Sequence, residues 1–159
     1  MNKDKNMPDT RGIQGGFNSP EFPVSFSIFA LARSHRALAA NLLREMGLFP
    51  GQEIMLMQLW QKDNQSQNSL GKTLCLDHST VAKSVRRLED SGLVTRSRSQ
   101  EDKRVTIVSL TQAGRDLMAK ILDAWSRLET ITTDGLTEQE KTLFLNLVWK
   151  MVSNVESPF

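Results

Sequence analysis

The sequence predicts a mainly α-helical fold with one small β-hairpin, a winged helix-turn-helix set between N- and C-terminal helices that join two copies of the chain. Three observations carry that expectation. Residues 77–90 place Val81, Val85 and Leu88 at the three- and four-residue spacing of a buried helical stripe. Two alternating, β-branched runs, residues 93–97 and 105–110, flank the polar loop 99–103. The terminal helical segments hold more apolar surface than a small winged helix needs to close its own core. The expected division is a flexible arm over 1–23, a first dimerisation helix over 24–47, the winged helix-turn-helix lobe over 48–110, and C-terminal dimerisation helices over 111–159.

Residues 1–23 are rich in Gly, Asn, Asp and Pro, with Gly15-Gly16 and Pro20-Glu21-Phe22-Pro23 as breakers, hence the arm. Its Lys3, Lys5 and Arg11 are offset by Asp4 and Asp9, so a DNA-reaching role is the weaker reading. Over residues 25–46 the series Ile28, Leu31, Ala32, His35, Ala39, Leu42, Leu43, Met46 describes a long helix with a broad apolar face. His35 and Arg36 interrupt that face, as a hydrogen-bonded histidine and a snorkelling arginine. Gly47 to Gly51 break the chain, with Pro50 suited to a first-turn position. Residues 53–60 are apolar nearly all round, which predicts a helix buried between others. Met55, Met57 and Trp60 there suit a flat hydrophobic ligand, although ordinary core packing is the stronger explanation for them.

Residues 62–67 read as a polar connection, and 69–74 as a short helix with Leu70 and Leu74 inward. Cys75 and Leu76 make a turn, and Asp77 is a good N-cap for the helix that follows. With Val81 as zero, the 100° step puts Ser79, Thr80, Lys83, Arg86 and Arg87 between roughly 140° and 260°, opposite the stripe. Hydroxyls and cations therefore face outward. Ser91-Gly92 stops the helix before the hairpin.

After the hairpin, Thr111 is an N-cap, and Leu117, Ile121, Ala124, Leu128 and Ile131 step by 4, 3, 4 and 3, a coiled-coil-like seam. Gly135 ends it. Thr137 to Glu140 form a capping box, and Leu143, Phe144, Leu147, Val148, Met151 and Val152 make the last helix amphipathic.

An outward face of this kind suits a DNA major groove, where Ser79, Thr80 and Lys83 are the expected base-edge contacts and Arg86 and Arg87 divide between bases and phosphates. His78 can touch phosphate. Arg96 and Arg98 on the first wing strand are expected on phosphates.

The stretch STVAKSVRRLEDSGLVTR, the wing tip EDKR and the following VSLTQAGRDL together resemble the MarR family of bacterial transcription regulators, over residues 26–153. The resemblance implies that Asp102 orients Arg104, leaving Arg104 or Lys103 at a minor groove. It also implies that the first helix lines an effector pocket, which makes His35 a candidate ligand residue beside Met57 and Trp60, for a small aromatic or phenolic effector. A homodimer would set two recognition helices about one DNA turn apart on a pseudo-palindrome. The chain departs from the family in having Cys75 where glycine is common and Gly71 where alanine is common. Peroxide-sensing members carry their reactive cysteine near the first helix with tyrosine partners, and this chain has no tyrosine.

Composition agrees. The 159 residues are 39% hydrophobic and 24% charged, ordinary for a globular chain. Net charge is only +2, yet residues 72–104 hold eight Lys or Arg against five Asp or Glu, so that segment carries +3 and the remainder −1. No apolar run approaches a membrane span and the polar start lacks a signal sequence, so a cytoplasmic protein with no membrane partner is expected. The single Cys75 excludes an intramolecular disulfide and cysteine metal clusters. Two histidines, no paired carboxylates and no glycine-rich phosphate loop argue against an enzyme, a metal or a cofactor. The expected function is a ligand-responsive repressor binding double-stranded DNA. The alternatives are a winged-helix protein-interaction module and a redox-responsive regulator acting through Cys75.

Overall fold

The structure is a computed structural model that describes residues 21–157, so the arm expected over 1–23 lies almost wholly outside the described residues. Element order is α1 (Pro23–Leu43), a 3-10 turn (Arg44–Met46), α2 (Gln52–Gln61), β1 (Gln65–Ser66), α3 (Gln67–Thr73), α4 (His78–Asp90), β2 (Val94–Arg98), β3 (Thr106–Leu110), α5 (Gln112–Thr132) and α6 (Glu138–Glu156). The chain separates into two units, residues 1–36 and 37–159.

The described part of the first unit is the N-terminal portion of α1. It opens on Pro23, whose missing N–H is harmless in a first helical turn, and Val24, Ile28 and Leu31 are exposed along it, as is Phe22 just before it.

In the second unit, Gly47 takes a φ of 68° and closes the 3-10 turn onto the Arg44 carbonyl. The next helix does not start at Pro50. Gly51, at φ 94°, precedes it, and the side chains of Gln52 and Glu53 reach back to accept from the Phe49 N–H (2.9 Å) and the Gly51 N–H (2.7 Å). Both are buried, and burial raises the Glu53 carboxyl above its ordinary pKa against the opposing pull of its own N–H and that of Gly51. Met55, Leu56 and Leu59 are buried in α2, but the expectation of a helix enclosed all round fails at its end. Met57 is only half-buried and Trp60, in the last turn before the polar connection, is 49% exposed.

The sheet is three-stranded and antiparallel, in the order β1-β3-β2, with Val94 opposite Leu110, Arg98 opposite Thr106, and Gln65 opposite Val108. Residues 62–66, expected to be a plain connection, instead form a clasp. Asp63 accepts from the Leu110 N–H (3.0 Å) and pairs with Arg115, Ser109 donates to Asn64 (2.7 Å), and the buried Gln65 amide donates to the Gln58 and Lys62 carbonyls. The clasp ties β3 and the start of α5 to the end of α2.

Ser66 caps α3, and the turn into α4 runs through Cys75 at a φ of 52°. A left-handed residue other than glycine costs about 1–2 kcal/mol. Glycine restores part of that and returns some as unfolded-chain entropy. Cys75→Gly should therefore raise stability by up to about 1 kcal/mol, read as a higher urea midpoint at unchanged slope. A fall in stability would show that the thiol, 4.0 Å from the Lys72 carbonyl, contributes more than the backbone strain removes. At Gly71 an added Cβ would lie 3.2 Å from the Leu76 carbonyl oxygen and 3.3 Å from Val81, so an alanine there would need these neighbours to give by a few tenths of an ångström.

Leu56, Leu59, Leu70, Val81, Val85, Leu88, Val94, Val108, Met118 and Ile121 form the core on which these elements converge. Along α5 the buried set is Gly114, Met118, Ile121, Ala124 and Leu128. The expected seam is corrected at both ends: Leu117 is half-buried with Met118 inward in its place, and Ile131 is exposed. In α6 no residue is buried.

Candidate nucleic-acid interface

The N-terminus of α4 is built on Asp77. Its carboxylate accepts the Thr80 N–H (2.9 Å), the Ser79 hydroxyl (2.6 Å) and the Thr80 hydroxyl (2.6 Å). Those hydroxyls, with the backbone N–H, hold the Asp77 carboxyl well below the ordinary aspartate range. Val81, Val85 and Leu88 face the core as the spacing predicts, and His78, Ser79, Thr80, Lys83, Arg86 and Arg87 are all exposed. The guanidinium of Arg87 lies 4.8 Å over the ring of Phe49, a residue from the loop before α2 that sequence periodicity does not single out. Arg87 is thus braced, while Lys83 and Arg86 project freely enough to reach a partner.

Arg96 does not stand alone on the wing. Its Nε donates to the Glu89 carboxylate at 2.8 Å and a second N–H joins the same oxygen, linking α4 to β2. The pairing lowers the pKa of Glu89 and raises that of Arg96. Arg98 donates to Thr106 (3.2 Å) and to the Arg104 carbonyl (3.4 Å), across the two wing strands. Both arginines therefore brace the wing, and any phosphate contact they make is through their remaining donors.

At the wing tip Asp102 accepts from the backbone N–H of Arg104 at 2.9 Å and its own carbonyl accepts from Val105 at 2.9 Å. Asp102 thus fixes the Arg104 backbone rather than its guanidinium. Lys103 and Arg104 are exposed. Among the described residues, none of Lys83, Arg86, Lys103 and Arg104 is held in an ion pair.

Three hydrogen bonds made by Thr111 lock the base of the wing. Thr111 donates its hydroxyl to the Gly92 carbonyl (2.6 Å) and its N–H to the Leu93 carbonyl (3.1 Å), and its hydroxyl accepts from the Gly114 N–H (3.0 Å). The order of helix, turn, strand pair and helix is therefore mechanically continuous.

The candidate effector residues belong to two different units. His35 is half-buried on α1 in the first unit, whereas Met57 and Trp60 belong to α2 in the second. A narrow apolar crevice in the second unit, lined by Ala39, Leu42, Leu43, Ala124, Trp125 and Leu128, includes none of them and has no room for a water molecule. Cys75 is exposed at its turn. Among the described residues no group of three or more His, Cys, Asp or Glu could hold a metal ion, and no helix is long and apolar enough to cross a membrane.

Comparison with known proteins matches this geometry. A family model described as the transcriptional regulator SarA/Rot matches residues 37–121, from the end of α1 through the wing into α5. The organic hydroperoxide resistance transcriptional regulator of Bacillus subtilis is 32% identical over 103 residues, 65% of this chain and 70% of that protein. Among solved structures, MarR superposes with a TM-score of 0.75 at 25% identity, covering 88% of this chain and 95% of its own. Reduced AbfR bound to DNA superposes with a TM-score of 0.67 at 29% identity, covering 84% and 93%. The matched relatives are named as regulators of transcription.

Proposed function

Since the chain belongs to the MarR family of winged helix-turn-helix transcriptional regulators, and is a DNA-binding regulator, we propose that it acts as a dimeric repressor on a pseudo-palindromic operator and is released by a small effector. The observation that carries this reading is the set of exposed cations, Lys83 and Arg86 on α4 and Lys103 and Arg104 at the wing tip, held in no ion pair among the described residues and carried by backbone that is itself pinned. In the proposed complex α4 enters a major groove with Ser79, Thr80 and Lys83 at base edges, and His78, Arg86 and Arg87 on bases or phosphates. The wing lays Arg104 or Lys103 at the neighbouring minor groove, whose negative potential attracts guanidinium. Arg96 and Arg98 stiffen the wing and add to its positive field.

Two such lobes, joined through the uncovered apolar face of α6, span half-sites about one DNA turn apart. The effector is a small aromatic or phenolic molecule, with His35, Met57 and Trp60 as its proposed contacts. Release requires only that it favour a dimer geometry in which the two recognition helices are wrongly spaced. The protein works in the cytoplasm, where its operator is.

Binding of the purified protein to a duplex from its own upstream region and to a shuffled duplex, across a salt series, tests this reading. Arg104→Ala should weaken both duplexes alike and flatten the salt dependence by about two charges per dimer. Lys83→Ala should act mainly on the preference for the native duplex, reducing it about tenfold. Equal, weak binding of both duplexes that neither substitution alters would remove the mechanism and favour a protein-interaction module.

A further inference from the structure

The cap of α4 does more than start a helix. An ionised carboxylate has no proton to give, so every hydrogen bond at Asp77 is one that it accepts. The Ser79 and Thr80 hydroxyls each carry a single proton, and at 2.6 Å from Asp77 each spends it on that carboxylate. The Thr80 N–H, 2.9 Å away, keeps the carboxylate from swinging aside. What remains on the outward side of both hydroxyl oxygens is lone pairs.

We propose that Asp77 sets the polarity of the groove-facing hydroxyls, so that Ser79 and Thr80 read DNA as acceptors and select exocyclic amino groups. In the major groove those are N4 of cytosine and N6 of adenine, whereas guanine and thymine offer acceptors at the equivalent edge. An unconstrained hydroxyl has no such bias, because it rotates to suit either. Lys83 and Arg86, which can only donate, seek the guanine O6 and N7 or the thymine O4. The helix face thus carries acceptors in its first turn and donators from its second turn onward, a fixed pattern of complementarity along one strand. Asp77 is a positioning residue that acts through its neighbours. The inference rests on the DNA-binding reading given above and narrows it to a base class.

Selection from randomised duplexes by the full-length wild type, Ser79→Ala, Thr80→Val and Asp77→Asn tests it. The first two variants locate the operator positions that each hydroxyl reads. At those positions the wild type should select adenine or cytosine over guanine or thymine by about tenfold. Asp77→Asn keeps an acceptor oxygen for the helix cap but adds an amide that can donate to a hydroxyl, freeing its proton to point outward. The oxygen that holds the Thr80 N–H also takes the Ser79 hydroxyl, so the new amide meets the Thr80 hydroxyl alone. Preference at the Thr80 position should therefore fall several-fold, while positions dependent on Ser79 and Lys83 stay as they were. A merely structural role for Asp77 would weaken all positions together, and that result would overturn the proposal.

A second arm needs no variant of Asp77. Replacing the selected cytosine by a pyrimidinone that lacks the 4-amino group, or the selected adenine by purine, should weaken wild-type binding about tenfold and leave the corresponding hydroxyl-deleted variant unaffected. Selection of guanine or thymine at those positions, or the absence of any position dependent on either hydroxyl, overturns the polarity assignment while specific binding stands. Loss of all sequence preference in the wild type overturns the DNA reading itself, and the assignment with it.

Discussion

Gly114→Ala should destabilise the protein by about 3 kcal/mol or more, although the same exchange at an open helical site would stabilise it by about 1 kcal/mol. A Cβ at Gly114 would stand 2.2 Å from the carbonyl oxygen of Leu93 and 3.1 Å from the Leu110 side chain. The first of these is backbone, and it cannot turn away, because the same carbonyl accepts the Thr111 N–H at 3.1 Å. To admit one methyl group, the first turn of α5 has to lift from the start of β2. That movement breaks the Thr111 clasp on Gly92 and loosens the base of the wing. Against a total stability of about 5–15 kcal/mol the loss is large. Urea unfolding of Gly114→Ala beside Ala113→Gly measures it, since Ala113 is exposed one residue away and reports helix propensity alone. A Gly114→Ala midpoint equal to that of the wild type would mean that α5 and β2 approach less closely than described.

The contrast between what was legible in the sequence and what was not follows the range of the interactions. The N-caps at Asp77, Thr111 and Thr137, the capping box at Glu140, and the glycines that end helices at Gly92 and Gly135 are all decided within a few residues, and the structure has each of them where the pattern predicts. The buried stripe of α4 is equally local, because Val81, Val85 and Leu88 stand against strongly polar neighbours. In α5 the pattern is ambiguous. Leu117 and Met118 both lie within four residues of Ile121, so periodicity alone cannot choose between them, and packing places Met118 inward. Strand β1 has only two residues, and what makes it a strand is β3 alongside, not any alternation of its own.

The bracing of the site was invisible for the same reason. Arg115 meets Asp63 across a separation of 52 residues, Arg87 meets Phe49 from another loop, and Arg96 turns back to Glu89 on the preceding helix. A sequence shows that Arg96 and Arg98 are cations close to the exposed face of α4, but only the assembled hairpin shows their donors already engaged. Trp60 errs in the opposite direction. Its side chain is as apolar as its neighbours on α2, and its exposure depends on where the packed neighbours end.

Leu147→Glu should turn the proposed dimer into a monomer and weaken operator binding by about a hundredfold or more. On α6, Leu143, Leu147, Met151, Phe144, Val148 and Val152 fall within roughly half of the helix circumference at 100° per residue. Yet Leu143, Phe144 and Leu147 are 57%, 48% and 49% exposed, and no residue of the helix is fully buried. A well-capped helix with an uncovered apolar face this long is unusual on a monomer. In a two-fold interface each substitution appears twice, so Leu147→Glu places two unpaired carboxylates in apolar contact, each disfavoured by several kcal/mol. Because Leu147 lies on α6, outside the buried core of the winged lobe, and is 49% exposed, that lobe should keep its helicity and its unfolding midpoint per monomer. Operator affinity falls because a single lobe holds one half-site without the effective concentration that joining two lobes provides, typically worth 10² to 10⁴. Sedimentation at several concentrations separates the cases. A monomer with intact helicity and weak half-site binding supports the α6 interface, whereas a dimer that persists with undiminished affinity would move the interface elsewhere on the chain.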